Sequence, residues 1–424
     1  MFFTPDKPIS ELSLLVGRDG LIASLNRELA LSGKHVFLFG PKGIGKTSVV
    51  SCLSAAKFDR ATYQTATQTT TFGSLFREIL NDLQVKPEVR FEASRGTRVS
   101  LRDLFVRDAK SSVTTETFHA DVSDPNEVRR YLHTIEGNVL IVIDNLEKVD
   151  NHRRRAELFE ALANLSKLLT DSAANHTYKI VLVGTAYDIA SFIPRHHSIN
   201  RIYRCHDVAP VSVGDLAHLL LVAEAAGRIQ FEPAIIRHFA ELSLGYPFFV
   251  QAIGSRIEEQ LRSFEPEDAE QLWQEIEAPP LHVDWQIFIA ALRFVCEEQV
   301  LFYRQMYGMM TTRRQSKENR LVYCLADHII DSNRSSSSVA MPVDAFFPLL
   351  AAELRISAEQ ARRLCSEMNR KGQYIFISSD RIGFIEPVLI PFLRASLEYQ
   401  RRKWQRPMLD HPELPLPLPC PSNR

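Results

Sequence analysis

The sequence predicts an α/β fold: a parallel sheet with helices on both faces, followed by a helical lid and a mostly helical C-terminal domain. Three observations carry that prediction. Two apolar runs, Val139-Leu140-Ile141-Val142-Ile143 and Ile180-Val181-Leu182-Val183, lack alternation, as parallel strands buried on both faces do. Helical stretches separate the strand-like runs as far as about residue 205, and such alternation builds parallel crossovers. A third apolar run, His35-Val36-Phe37-Leu38-Phe39, leads straight into Gly40-Pro41-Lys42-Gly43-Ile44-Gly45-Lys46-Thr47.

That octapeptide is a complete GxxxxGKT motif, with a strand before it and the helix-like Ser48-Val49-Val50-Ser51-Cys52-Leu53 after it. This context separates a phosphate-binding loop from a chance glycine-rich turn. Glycines let backbone N–H groups close around a triphosphate, Lys46 brings a point charge to the outer phosphates, and the Thr47 hydroxyl can ligate Mg²⁺. A helix N-terminus at this point adds a favourable dipole for the anion. The expected site comprises Gly40, Pro41, Lys42, Gly43, Ile44, Gly45, Lys46, Thr47 and Ser48, with ATP and Mg²⁺ as ligands, in the sheet of a P-loop NTPase.

The other elements follow in order. Apolar positions at helical spacing in Leu21-Ile22-Ala23-Ser24-Leu25-Asn26-Arg27-Glu28-Leu29 predict a helix ahead of the first strand. Ala61-Thr62-Tyr63-Gln64-Thr65 reads as a second strand and 72–83 as a helix, whereas residues 84–122 are charged and aperiodic, an insertion of loops. Asp124-Pro125-Asn126-Glu127 opens the helix before the strand that closes on Asp144, which is expected beside the first strand. Ile202-Tyr203-Arg204-Cys205 is a short fifth strand, completing a core over 1–210. Beyond Pro210 the strands stop. Ser212-Val213-Gly214-Asp215 caps a helix through Ala226, and helices over 233–244 and 248–262 complete a lid, 211–263. An acidic, proline-bounded linker, 264–280, leads to a mostly helical domain, 281–399, broken by the flexible Ser335-Ser336-Ser337-Ser338. Helices over 343–353 and 357–371 there precede the hairpin runs Tyr374-Ile375-Phe376-Ile377-Ser378 and Ile382-Gly383-Phe384-Ile385, a winged-helix pattern. The proline-rich tail, 400–424, is expected to be disordered.

A length of 424 residues suits two or three domains, and 45% hydrophobic residues suffice for proper cores. Lys+Arg 50 against Asp+Glu 51 excludes a globally basic nucleic-acid binder and leaves room only for a local basic face. Cys52, Cys205, Cys296, Cys324, Cys365 and Cys420 show no CxxC spacing, so neither a zinc site nor a disulfide framework is expected. His196, His197 and His206 likewise lack the spacing of a metal site. The chain opens without a basic and apolar leader, and no run approaches the roughly 18 apolar residues of a membrane helix. A cytoplasmic protein with reduced thiols and no membrane partner is expected.

Asp144 is the natural partner of the loop, because a carboxylate at a buried strand's tip can orient Mg²⁺ through water. Asn145 follows where hydrolysis wants a proton acceptor for the attacking water, and an amide cannot accept that proton. Glu147 could serve instead, or be a solvated charge at the start of a loop. Thr185 either feels a γ-phosphate or is a turn residue. Arg201 and Arg204, with Arg195 before them, could offer a guanidinium to a neighbouring subunit's nucleotide, or be surface charges. The candidate catalytic set is Lys46, Asp144, Asn145, Glu147, Thr185 and Arg201, with Thr47 and Asp144 serving the metal. Arg362, Arg363, Arg370 and Lys371 sit where winged helices contact DNA, although Glu359 and Glu367 nearby fit a solvated face equally.

Val16-Gly17-Arg18-Asp19, the loop, Asp144-Asn145, Gly184-Thr185 and Gly245-Tyr246-Pro247 resemble, in that order, the AAA+ and STAND ATPases, nearest their archaeal-type, origin-recognition-like branch. The resemblance covers about residues 11 to 262 and extends loosely to the winged helix. It implies that Val16, Gly17 and Arg18 line the adenine side and that Pro247, opening a lid helix, rests on the base or ribose. A proline suits that position because the first helical residue needs no N–H. The chain departs from many AAA+ members at Asn145, and in having Gly-Tyr-Pro where those often carry a lid arginine. The resemblance therefore implies a slow switch: ATP between core and lid controls conformation, self-association or a protein partner, in signalling or anti-phage defence. The alternative is an ATP-licensed DNA-binding protein of the origin-recognition, transposition or replication-loading type. A third reading, ATP binding without turnover, rests on Asn145.

Overall fold

A computed structural model describes residues 2–53, 58–85, 91–92, 98–99, 122–149, 152–170, 177–185, 199–226, 229–263, 280–296, 317–332, 340–371, 375–377, 380–384 and 388–401. Asp19–Ala30 (α1) precedes His35–Phe39 (β1), and the loop joins β1 to a short helix, Lys46–Ser51 (α2). Then come Arg60–Thr65 (β2), Phe72–Asp82 (α3), the two-residue antiparallel strands Phe91–Glu92 (β3) and Arg98–Val99 (β4), and Pro125–Leu132 (α4). Val139–Asp144 (β5), His152–Thr170 (α5), Tyr178–Gly184 (β6), Ile199–Ile202 (α6) and Tyr203–Asp207 (β7) follow. Local chemistry fixes the helix starts. Thr71 and Ser74 form a reciprocal capping box on α3, while Asp124 accepts the Asn126 N–H (2.9 Å) ahead of Pro125, the first residue of α4.

The described residues form two compact units, one holding Leu21–Gly40 and Leu53–Asp207, the other Met1–Gly20, Pro41–Cys52 and Val208–Arg424. The first is built on a five-stranded parallel sheet of order β2-β5-β6-β1-β7. Here the structure corrects the sequence reading: β5, which ends on Asp144, does not lie beside β1, because β6 stands between them. Burial explains the order. Every residue of β5 and β6 is buried, so both take central places, whereas β2 and β7 carry exposed residues and take the edges. Val139, Ile141 and Ile143 of β5, with Ile180 and Leu182 of β6, pack on Phe76 and Ile79 of α3, Val128 of α4 and Phe159 and Leu162 of α5. Burying each such side chain stabilises by about 1.5–3 kcal/mol.

The second unit contains Val213–Ala226 (α7), Ile229–Phe231 (β8), Pro233–Leu242 (α8), Pro247–Arg262 (α9), Leu281–Val283 (β9) and Trp285–Phe294 (α10). Lys317–Ser332 (α11), Ala340–Pro342 (β10), Val343–Leu354 (α12), Ala358–Lys371 (α13), Ile375–Ile377 (β11), Arg381–Phe384 (β12) and Leu389–Arg401 (α14) complete it. Strands therefore continue past Pro210, contrary to the sequence reading. β8 pairs in parallel with β9, and β10 joins the expected hairpin in an antiparallel sheet of order β10-β12-β11. Three-residue strands are too short for a period of two to register. An N-terminal strap is pinned here too: Phe2 and Phe3 N–H groups donate to Glu258 (2.8 and 3.4 Å), Thr4 N–H to Gln251 (2.7 Å) and Ile9 N–H to Ser48 Oγ (3.1 Å). α14 lies on α8, with Tyr399 and His238 joined at 2.7 Å and Arg394 donating to the Glu241 carbonyl (2.8 Å).

Most of the expected insertion, the linker over 264–279, Ser335 to Ser338, Arg195, His196, His197, Cys420 and the tail beyond 401 lie outside the described residues. Among those described, no helix is long and apolar enough to cross a membrane.

At the amino edge of the sheet His35 is fully enclosed. Its Nδ1 accepts the Ile180 N–H (3.1 Å), which leaves the ring proton on Nε2 facing the Ser166 carbonyl (3.4 Å). Burial lowers its pKa to about 3; the Ser166 carbonyl opposes the fall and the Lys179 charge adds to it. Burial also lowers Lys179 to about 8, its ammonium resting on the Leu31 and Lys34 carbonyls. Because the unfolded histidine titrates near 6.5 and the folded one near 3, the unfolded state binds the extra proton between those values. Stability is then present above pH 6.5 and lost as pH falls toward 3, by up to about 1.4 kcal/mol per pH unit. His35→Gln, which keeps an acceptor but does not titrate, should be less stable at neutral pH yet lose its urea midpoint more gradually on acidification. Parallel slopes for the two proteins would refute a buried neutral histidine.

Candidate functional site

Parallel pairing brings the ends of β1, β5 and β6 to one edge of the sheet. Phe39 is in register with Gly184 and Ile143 with Leu182, so Gly40, Asp144 and Thr185 all emerge at the carboxyl edge, where ligands of open α/β sheets bind. The Gly40 N–H donates to the Gly184 carbonyl (3.3 Å) and fixes where the loop leaves the sheet. Asp144 is 1% exposed, and both carboxylate oxygens are held: Oδ1 accepts the Asn145 N–H (2.6 Å) and Oδ2 the Tyr63 hydroxyl. Asn145 is left-handed (φ 59, ψ 38), a conformation asparagine tolerates better than most residues, and it starts the turn Leu146–Lys148. Glu147 is half-buried, and Arg155 grips its carbonyl (2.9 Å) and that of Val149 (2.6 Å). Thr185 is half-buried at the same edge.

The loop is braced in its own unit. Lys46 is buried and its ammonium reaches back to the Pro41 carbonyl (3.1 Å). Arg18, also buried, donates to the carbonyls of Ala209 (2.6 Å) and Ile44 (3.0 Å). Its guanidinium therefore holds the loop. Gly43 has φ +78, and a Cβ there would meet Val388 Cγ2 at 2.5 Å and Phe248 Cβ at 3.3 Å, so only glycine fits. The Phe248 N–H, a first-turn donor with no partner inside α9, donates to the Gly43 carbonyl (3.4 Å). Pro247 opens α9, as its missing N–H favours. Gly245 (φ +83) allows the close crossing of Pro210 and Val211, whose N–H donates to the Gly245 carbonyl (2.9 Å).

Other expected contributors are placed as follows. Val16 is half-buried, Gly17 lies against Asp215, Lys42 is exposed, and Ser48 is engaged by the strap through Ile9. α2 spans only six residues, so the helix dipole adds little and anion recognition rests on loop N–H groups and Lys46. Arg201 precedes β7 at the amino edge, where its carbonyl accepts Lys34, roughly 16 Å along a five-residue strand from the carboxyl edge. Arg204 pairs with Glu28 (3.6 Å). Among the described residues no three His, Cys, Asp or Glu could cage a metal. A buried carboxylate and a threonine hydroxyl suit Mg²⁺, which keeps waters and binds along with phosphates. A separate cavity of about 460 Å³, lined by Ser74, Arg77, Arg154 and Glu157 among others, contains none of the expected residues.

Residues 30–191 match the family model of the AAA domain. That span carries the loop, Asp144 and Thr185. No curated protein sequence matches the chain. Among solved structures, it is similar to a Walker-type ATPase of Pyrococcus abyssi, at 15% identity over 93% of this chain and 100% of that one, with TM-score 0.51. It is also similar to the Aeropyrum pernix ORC2 protein in ADPNP-ADP complexes, at 11% identity over 95% and 98% of the two chains, with TM-score 0.50. At these identities the likeness is one of fold, a P-loop NTPase sheet with an AAA domain.

Sequence reasoning missed Tyr63, Arg155 and Val388. The register Thr65 to Asp144 puts Tyr63, two residues earlier, on the face of Asp144, a signal legible only once β2 and β5 are known to pair. Arg18→Ala removes two hydrogen bonds from a charged donor and strands their carbonyls. It should lower nucleotide affinity about tenfold, at roughly 1.4 kcal/mol per decade, and cost a few degrees of melting temperature. Unchanged nucleotide titration would show that the loop keeps its shape without this brace.

Proposed function

We propose that this protein is an ATP-operated switch, an AAA+/STAND-type ATPase that binds Mg²⁺-ATP, hydrolyses it slowly and passes the state of the loop to the helices resting on it. One observation carries the reading: Gly43 touches both Phe248 in the first turn of α9 and Val388 just before α14. A loop that adjusts to a γ-phosphate cannot do so without either segment responding.

In this reading the loop N–H groups and Lys46, released from the Pro41 carbonyl, hold the phosphates, while Val16, Gly17 and Pro247 take the adenosine side. Mg²⁺, when bound, would neutralise phosphate charge, with Thr47 as ligand and Asp144 ordering its waters. Thr185 faces the γ-phosphate. Asn145 offers no base, and Glu147 is the remaining acceptor, so turnover is slow. Arg201, at the amino edge of the sheet, is assigned to a neighbouring subunit's nucleotide, which requires self-association. ATP and ADP then favour different arrangements through their different contacts with the loop, available to a protein partner in signalling or anti-phage defence.

Lys46→Ala should weaken ATP in equilibrium titration by roughly thirtyfold or more, the scale of losing a buried charge contact. Val388→Ala should shift the ratio of ATP to ADP affinity about fivefold, the lower end of allosteric couplings. Wild-type ATP affinity in the first variant would remove the site, and an unchanged ratio in the second would reduce Val388 to packing.

A second reading has its own observation. The three-stranded sheet β10-β12-β11 with the preceding helices α12 and α13 supports a winged-helix reading, and α13 exposes Arg362, Arg363 and Arg370. Arg362 also lies over Phe347 (5.3 Å) and Arg363 pairs with Glu359 (2.5 Å), contacts that a solvated face would make. In this reading ATP licenses duplex binding. Changing Arg362, Arg363, Arg370 and Lys371 together to alanine should abolish a duplex affinity that falls steeply with salt; a parent without such affinity leaves only the switch.

A further inference from the structure

Tyr63 is an exposed aromatic residue on an edge strand, 41% accessible, whose hydroxyl nevertheless donates to the most enclosed carboxylate of the sheet edge. β2 alternates strictly. Thr62 and Gln64 face α3, where both donate to Asp82 (3.0 and 2.5 Å), and Tyr63 with Thr65 faces the other way, toward the side on which Asp144 projects. A tyrosine kept for packing would bury its ring; this one leaves the ring in solvent and uses the hydroxyl. The Asn145 N–H holds the other oxygen (2.6 Å), so the carboxylate is gripped from both sides and its plane is fixed. Each carboxylate oxygen has two lone pairs, and a donor on one leaves the other to receive a metal-bound water.

We propose that Tyr63 is a positioning residue: it holds the Asp144 carboxylate in the orientation that receives the waters of Mg²⁺, and so sets how strongly nucleotide binding depends on the metal. The proposal rests on the nucleotide reading of the loop and adds to it a residue that acts only through Asp144. Hydrogen-bonded partners behind a metal's direct neighbours change metal affinity by about 10–100-fold when removed. In this role Tyr63 acts through Asp144, so metal-free nucleotide binding does not involve it.

Tyr63→Phe deletes the hydroxyl and keeps the ring. A fluorescent ATP analogue titrated in EDTA should bind parent and variant equally. Titrated at rising Mg²⁺, the variant should need about tenfold more metal to reach half of the metal-dependent gain. Mn²⁺ paramagnetic resonance with saturating analogue should show the same weakening without any turnover. Asp144→Asn should raise the metal requirement alone, and Tyr63→Phe added to it should change nothing further, because the hydroxyl works through that carboxylate. Superimposable metal curves for parent and Tyr63→Phe would overturn the assignment, and so would an equal loss of affinity in EDTA. Lys46→Ala separates the two levels. A parent whose binding depends on Lys46 and on Mg²⁺, beside an unaffected Tyr63→Phe, sinks Tyr63 alone. A parent indifferent to Lys46 sinks the nucleotide reading and this assignment with it.

Discussion

The central strands β1, β5 and β6 are covered on both faces, and that constraint decides where polar chemistry can stand in the sheet. Inside such strands the backbone is satisfied by its ladder and the side chains must be apolar, since an unpaired charge there is very costly. A carboxylate becomes tolerable only at the last residue of β5, and even there Asp144 needs the Asn145 N–H and the Tyr63 hydroxyl. The opposite edge obeys the same rule. His35 and Lys179 survive there because the Ser166, Leu31 and Lys34 carbonyls receive them. Burial alone would not tell the two edges apart; the loop does, since it leaves β1 at only one of them.

The loop is shaped from outside as much as by its own glycines. The Gly43 carbonyl receives the Phe248 N–H and the Ile44 carbonyl receives Arg18. In a trans peptide the carbonyl and the next N–H point in opposite directions, so the N–H groups of Ile44 and Gly45 face away from those braces. Successive N–H groups turned to one side form an anion-binding concavity. Under the proposed function Arg18 and Phe248 would thus shape phosphate recognition from behind the loop, and α9 is joined to the loop by one of these bonds.

The sequence made the strong local signals legible: the loop, the two uniformly apolar strands, the proline that opens α9, and the Asp124-Pro125 start of α4. What escaped it was lateral order. Apolar runs reveal that a strand is central but not which central strand is its neighbour, so Asp144 was expected beside β1 although β6 intervenes. The misses share this origin. Tyr63 meets Asp144 only through the β2–β5 register, Val388 meets Gly43 across more than three hundred residues, and β8 and β9 are too short to show a period.

Asn145 brings these threads together. Read as a sequence it is a deficit, an amide where a base would speed hydrolysis. Its backbone supplies a second reason for the residue. A left-handed conformation costs most residues roughly 1–2 kcal/mol and asparagine less, so the residue suits the turn it starts, while the peptide N–H that it shares with Asp144 donates to Asp144 Oδ1. In the proposed switch this position does without proton transfer and keeps a turn that asparagine tolerates, beside a carboxylate held by the backbone N–H. A motor needs the base, because its output is cycles per second. A switch needs the carboxylate held still, because its output is the difference between two bound states, and that difference lasts only as long as the nucleotide stays unhydrolysed. Under that proposal, an Asn145 that offers no base is what would keep the nucleotide bound long enough for the Gly43 contact with Phe248 and Val388 to be informative.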